Sequence, residues 1–255
     1  METLADVFGP AGGGQALSRW LHYLAGITWV GILYFFNFVQ APALDEIGGP
    51  RWGEELTVVT RRANWWLRWS AVLTVATGFS LLWFQRALGE EFTSYFTQSR
   101  GTAIAWGSIL GLIMFANVWL VIWPAQKRII LADERGETLK PEERLWLGLR
   151  ARSASRCNVI FSIPAVFFML VPSHWVPAHF VAYPGQERLA AAWAVFVILV
   201  GFLELAAVGE VGGVVSPANE VLFGDHRRTI LWAFVLWVLL YGGGFEIVIA
   251  GRTVG

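Results

Sequence analysis

Six stretches of this chain are apolar for long enough to cross a lipid bilayer, and that feature limits the fold more than any other. A hydrocarbon core of roughly 30 Å is spanned by about 20 residues of helix. Such stretches occupy residues 17–39, 65–84, 102–123, 157–171, 189–208 and 230–250. The fourth is short unless it extends towards Arg156 or Trp175. Lipid offers no partner for a backbone N–H or C=O, so each crossing segment must satisfy its own backbone as a helix. The expected fold is all-α: a polytopic transmembrane bundle of about six spans, a single domain over residues 17–255 behind a short tail, 1–16. The first sixteen residues contain no Lys or Arg, so a cleavable signal peptide is not expected.

Composition supports this class. Hydrophobic residues make up 56% of the 255 and charged residues 15%, against about 25% in soluble domains. Tryptophan, of which there are 15, suits membrane interfaces, where its ring and its N–H both find partners. A formal net charge of zero argues against nucleic acid as a partner. The single cysteine, Cys157, excludes an internal disulfide and the C-x-x-C-H attachment of a c-type haem. There is no zinc-type Cys/His cluster and no Gly-rich phosphate loop. A transporter is disfavoured, because no pair of broken spans carries charge at mid-membrane.

Two charged amphipathic stretches precede spans. Pro50 opens one that leads through Arg62 into the second span, and Pro141 opens another that leads through Arg156 into the fourth. Proline suits a first helical turn, where its missing N–H would be unpaired anyway. Both spans are therefore expected to be long helices with charged stubs. The halves also echo each other faintly. Arg61-Arg62-Ala63-Asn64 stands where Ser155-Arg156-Cys157-Asn158 stands later, and Asn37 with Pro42 matches Asn117 with Pro124.

Orientation follows from where the 19 Lys and Arg fall. Loops after odd-numbered spans hold thirteen: Arg51, Arg61, Arg62, Lys127, Arg128, Arg135, Lys140, Arg144, Arg150, Arg152, Arg156, Arg227 and Arg228. The opposite side holds five, Arg19, Arg86, Arg100, Arg188 and Arg252, and Arg68 falls inside the second span. Basic loops remain in the cytoplasm. Both termini then face outward, into the periplasm if the membrane is a bacterial inner membrane.

Polar residues inside spans are functional candidates. His22 lies roughly 6 Å below the outer boundary at 1.5 Å per residue. Gly26, one turn on, leaves room for a flat macrocycle beside it. Neutral imidazole is a common haem-iron ligand, although a histidine hydrogen-bonded inside the bundle fits the same position. His174 and His179 follow the fourth span at the same outer face, while His226 stands alone on the basic side beside Arg227. A six-coordinate haem b needs two axial ligands; His22 with His174 is the natural pair and His179 the substitute. Glu204 in the fifth span and Glu246 in the sixth, after Gly242-Gly243-Gly244, are candidates for a proton or polar relay, or for structural hydrogen bonds.

Three blocks carry a resemblance. "WLHYLAGITWVG" at 20–31, "NVWLVIWPAQKR" at 117–128 and "RSASRCNVIFSIPAVFFMLVPSHW" at 152–175 resemble the urate oxidase N-terminal family, the membrane domain of cytochrome-c-linked bacterial urate hydroxylases. The resemblance implies a multispan bundle, oxidation of urate, and electron transfer to a periplasmic cytochrome c. It places His22 and His174 on motif histidines. This chain has Cys157 where the family commonly has histidine, and these 255 residues include no cytochrome c domain. The function expected is that of a haem-b electron-transfer protein; the rival is a non-catalytic structural subunit of a respiratory or photosynthetic complex.

The charge asymmetry makes a direct prediction. A cysteine placed at Lys140 should be shielded from an impermeant thiol reagent in intact cells and react once the cells are opened. Strong labelling of intact cells would reverse the orientation.

Overall fold

A computed structural model describes residues 13–47, 54–85, 87–89, 91–174 and 184–249. Among these residues there is no strand, and eight helices account for the fold. Helix α1 runs over Gly13–Tyr34, passes through a π-helical stretch, Phe35–Gln40, and closes over Ala41–Ile47. Helix α2 is Glu54–Phe84 and α3 is the short Phe92–Thr97. Helix α4 joins Ser99–Ala116, a π-helical Asn117–Ile122 and Trp123–Glu134. Helices α5, α6 and α7 are Pro141–His174, Gln186–Val208 and Pro217–Phe223. Helix α8 is His226–Val238, continued by the π-helical Leu239–Ile249. Six of the eight are long and apolar enough to cross a membrane.

The spans are longer than hydropathy alone delimited. The first extends to Glu46 and the third to Glu134. The fourth apolar stretch lies in a helix that begins at Pro141, as expected, and its charged first half continues the helix without a break. Helices α2 and α5 are the two longest without a π-helical stretch, with 31 and 34 residues. Pro141 is the first residue of α5; Pro50 lies outside the described residues.

Two of the π-helical stretches have a local cause. A proline inside a helix drives its ring against the carbonyl four residues earlier. For Pro42 that carbonyl belongs to Phe38, and for Pro124 to Leu120. Both lie within the π-helical turns, whose wider i→i+5 spacing relieves the clash without breaking the helix. The repeated Asn-to-Pro spacing is thus a repeated local distortion. In each case the asparagine is buried and its side chain is hydrogen-bonded.

Helix α5 is the centre. Its apolar window is 67% buried inside the protein, against 28–39% for the other spans. Around it the helices alternate in direction. Ser18 meets Ser80 while Gln40 meets Thr60, so α1 and α2 are antiparallel. Asn117 meets Asn158, and Arg128 meets Glu143, so α4 and α5 are too. The outer surface is apolar, with Ile27, Leu120, Ile198 and Val197 each more than half exposed, as a lipid-facing surface should be.

The core is tied by one aromatic side chain. Trp106 of α4 is fully buried. It stacks on Phe196 of α6 at 4.9 Å between centroids and meets Phe245 of α8 edge-on at 4.9 Å. Phe168 of α5 and Trp193 of α6 complete the shell at 5.5 and 6.0 Å. Aromatic pairs in these offset and edge-on geometries add about 0.5–1.5 kcal/mol each beyond area burial. The ring fits because Gly244 lies against it, where a Cβ would approach Trp106 Cη2 to 2.7 Å.

At the arginine-rich end the connections are polar and capped. Arg128 bridges Glu137 at 2.7 Å and Glu143 at 3.2 Å, and Arg144 grips Asp133 with two bonds. The hydrogen bond from Arg128 holds Glu137 below the usual carboxylate range. These pairs are exposed, so they fix geometry more than stability. Helix α6 ends on Gly209, whose φ of +92° suits glycine at a left-handed cap. Ser216 and Asp225 cap α7 and α8 by accepting from the backbone N–H of Asn219 and Arg227. Arg68, inside the second span, lies over the Trp123 ring at 3.5 Å, a cation–π contact that shelters its charge.

The packing around Trp106 separates two neighbouring glycines. Gly244→Ala should lower the thermal unfolding midpoint of detergent-purified protein markedly. Gly243→Ala, where a Cβ meets nothing within 4 Å, should leave it nearly unchanged. Trp106→Ala should cost about 3–5 kcal/mol.

Candidate functional site

Helices α1, α2, α4 and α5 diverge in the half of the bundle near the start of α1 and the end of α2. Between them lies a cavity of about 600 Å³. Its wall is almost wholly apolar, and five glycines line it: Gly26 and Gly31 from α1, Gly78 from α2, Gly107 and Gly111 from α4. A Cβ added at Gly26, Gly31 or Gly111 would meet no atom within 4 Å, so there the missing side chains widen the space. Exposed Ile27, Phe79, Val166 and Leu170 line it on the lipid side.

His22 forms part of this wall. Its Nδ1 lies 2.9 Å from the Thr74 carbonyl oxygen and 3.1 Å from Thr77 Oγ1 on α2. A carbonyl can only accept, so Nδ1–H is the donor. Thr77 is itself held by donating to the Leu73 carbonyl at 2.6 Å. The ring packs beside Gly78, where a Cβ would lie 3.3 Å from Cε1. With Nδ1 committed to α2, Nε2 carries the lone pair and is the nitrogen available to the cavity. A backbone carbonyl on the far ring nitrogen is the arrangement that orients metal-ligating histidines and raises their basicity.

Gly26 shares the cavity with His22, as its spacing suggested. His174 is the last residue of α5, and nothing is described of its side chain; His179 lies outside the described residues. Met169, five residues before His174, does line the cavity, as do Met114, Tyr34 and Ser162. Tyr34 Oη and Ser162 Oγ are 2.8 Å apart. No spacing in the sequence pointed to Met169, because only the approach of α5 to Gly107 brings it there.

A second polar group lies deeper. Asn117, at the start of the π-helical turn of α4, donates through Nδ2 to Asn158 Oδ1 and to Glu204 Oε2, both at 3.0 Å. Asn158 donates in turn to the Met114 carbonyl at 3.0 Å. Cys157 Sγ is 3.8 Å from Glu204 Oε2 and 3.8 Å from the Leu203 carbonyl. Cys157 is a fully buried free thiol, midway along α5 and packed against α6. Glu204 is therefore a half-buried carboxylate with an amide partner. Glu246 is half-buried in the π-helical end of α8 and does not line this cavity. His226 opens α8 beside Asp225, 3.3 Å away. Among the described residues no three His, Cys, Asp or Glu side chains gather as a metal site.

The stretch from α3 to α6 carries the family signature. Residues 87–205 match the urate oxidase N-terminal family. Over this stretch the chain is similar to that family. The matched region contains Asn117, Cys157, Asn158, His174 and Glu204, and it includes the α4 and α5 walls of the cavity; His22 lies before it. Comparison with curated proteins and with solved structures returned no match.

The polar group makes an asymmetric prediction. Asn117→Leu removes the donor shared by Glu204 and Asn158 and should destabilise the protein by about 2–3 kcal/mol. Cys157→Ala removes only a weak S–H donor and should cost about 1 kcal/mol. Thermal unfolding of the two variants in one detergent checks the order.

Proposed function

We propose that this protein, with its similarity to the urate oxidase N-terminal family, binds one haem b in the glycine-lined cavity and passes electrons to a soluble c-type cytochrome, with urate as the source. The observation that carries the proposal is the His22 ring, which faces an apolar cavity of about 600 Å³ with Nδ1 fixed on the Thr74 carbonyl.

The residues fit the group. Flat space beside the histidine comes from Gly26, Gly31 and Gly111. Apolar walls exclude water and favour a macrocycle that is itself apolar. Haem b, when bound, supplies a one-electron couple. His22 would hold the iron through Nε2, and the Thr74 carbonyl would keep the ring in that tautomer. Met169, already in the wall, or His174, one to two turns further along α5, would approach from the other helix; His179 is the remaining substitute. Arg19, one turn before His22 and exposed, would meet the propionates at the membrane boundary. A site at this end of the bundle lies near the side that holds both termini. The lysine and arginine distribution assigns that side to the periplasm, where a soluble cytochrome would reach it. Glu204 and Glu246 stand apart from this cavity and would serve as proton or structural groups, not as ligands.

Reduced-minus-oxidised spectra of the purified protein test the reading. Wild type should show a b-type signal, which His22→Ala should abolish and Cys157→Ala should leave intact. A spectral shift in only one of His174→Ala, His179→Ala or Met169→Leu would name the second ligand. Absence of haem from wild type would leave the structural-subunit reading in its place.

A further inference from the structure

The seam between α1, α2, α4 and α5 also closes over a smaller cavity, of about 290 Å³, at the arginine-rich end, where Asn37, Gln40, Asn64 and Arg156 are buried in the wall. Asn64 of α2 and Gln126 of α4 meet there at 3.3 Å. The outward side of the same two helices has a different chemistry. Trp65 opens the second apolar stretch and Trp123 closes the third, so at this level hydrocarbon gives way to headgroups, where tryptophan concentrates. Trp65 and Trp69 of α2 are each about half exposed, and Trp69 meets Trp119 of α4 edge-on at 6.0 Å. Arg68 is set among these rings. Its guanidinium carbon lies 3.5 Å from the centre of the Trp123 ring and 5.5 Å from that of Trp119.

The charge of Arg68 is not matched by the protein. Its Nε donates to the Asn64 carbonyl, one turn back on its own helix, at 3.2 Å. Its Nη groups have no partner among the described residues and are not enclosed, and no charged side chain of the described residues acts on it. Lys127, one turn beyond Trp123, is exposed and belongs to none of the ion pairs among the described residues. Residues 13–44 of α1, 56–84 of α2 and 99–132 of α4 include no Asp or Glu. The acids that follow on α4 are committed, Asp133 to Arg144 and Glu134 to Arg61. A cation at the edge of hydrocarbon is costly unless an anion or water meets it.

We propose that this outward groove between α2 and α4 binds the headgroup of an anionic phospholipid in the leaflet at the arginine-rich end. Phosphate oxygens would accept from the Arg68 Nη groups, whose planar fork suits two oxygens at once. Lys127 would add a second positive charge one turn nearer the water, as basic residues at a membrane surface do for anionic lipids. The glycerol backbone and the first part of an acyl chain would lie over Trp65 and Trp69. A zwitterionic headgroup brings its own cation beside the phosphate, so the groove selects for net negative charge. The site is on the outside of the bundle and does not depend on haem in the glycine-lined cavity.

Native mass spectrometry of the purified full chain in detergent tests the site, with phosphatidylglycerol in one arm and phosphatidylcholine of the same acyl chains in the other. Wild type should retain phosphatidylglycerol with the higher affinity. Arg68→Gln should weaken that binding roughly fivefold, the effect of one cation near the surface, and leave phosphatidylcholine binding nearly unchanged. Lys127→Gln, at an exposed position, should act in the same sense and carries the test if Arg68→Gln does not fold. Arg62→Gln removes an exposed arginine elsewhere on α2 and should leave the preference intact. Equal affinity of wild type for the two lipids would overturn the proposal. So would a loss in Arg62→Gln as large as in Lys127→Gln, because the preference would then follow overall charge and not this groove.

Discussion

Hydrocarbon cannot accept or donate a hydrogen bond, and most of this structure follows from that. Every spanning segment is helical because only a helix pairs its own backbone there. At Pro42 and Pro124 the chain widens into a π-helical turn and remains a helix, over Phe35–Gln40 and Asn117–Ile122. The same constraint acts on side chains. Asn37 donates to the Leu33 carbonyl and to Ser155, and Asn117 to Asn158 and Glu204. Polar residues in the spans therefore pair helix to helix, and in doing so they fix which faces meet.

Apolar packing does the rest without a hydrophobic driving force between helices, since lipid tails are as apolar as the side chains. Close contact must supply the energy, and close contact needs shape. Trp106 stacks on Phe196 and presents its edge to Phe245 because Gly244 has no Cβ to obstruct it. That knot joins α4, α5, α6 and α8 and leaves α1 and α2 as a flanking pair. Where the flanking pair meets α4 and α5, the join is incomplete, and both cavities lie along that seam.

The two cavities divide by chemistry. One end of the seam has glycines and a single oriented histidine; the other has amides and arginines. This polarity agrees with the charge asymmetry along the chain, which places thirteen lysines and arginines between the apolar stretches on one side. Between the cavities lies the group of Asn117, Asn158, Cys157 and Glu204, linked to the first through the Met114 carbonyl. The family match over residues 87–205 covers this middle group completely.

The sequence by itself determined the class and the six spans and carried the family resemblance, because length, hydropathy and three contiguous blocks are local properties. It also singled out His22 and Gly26, whose i to i+4 spacing puts them on one helix face before any tertiary contact exists. Its limits are equally physical. Pro141 already marked the start of the long helix α5, but nothing local showed that Cys157 packs against α6, because Leu203 and Glu204 are 46 and 47 positions away. Glu204 looked isolated, because its partner Asn117 is 87 positions away. The tertiary structure alone decided that Thr74 turns the His22 ring, that Met169 shares its cavity, and that Gln40 and Arg156 converge at the far end of the seam. Each depends on the rotation and depth of one helix against another. Those are set by side-chain shape and by the need to pair polar groups away from water, and hydropathy records neither.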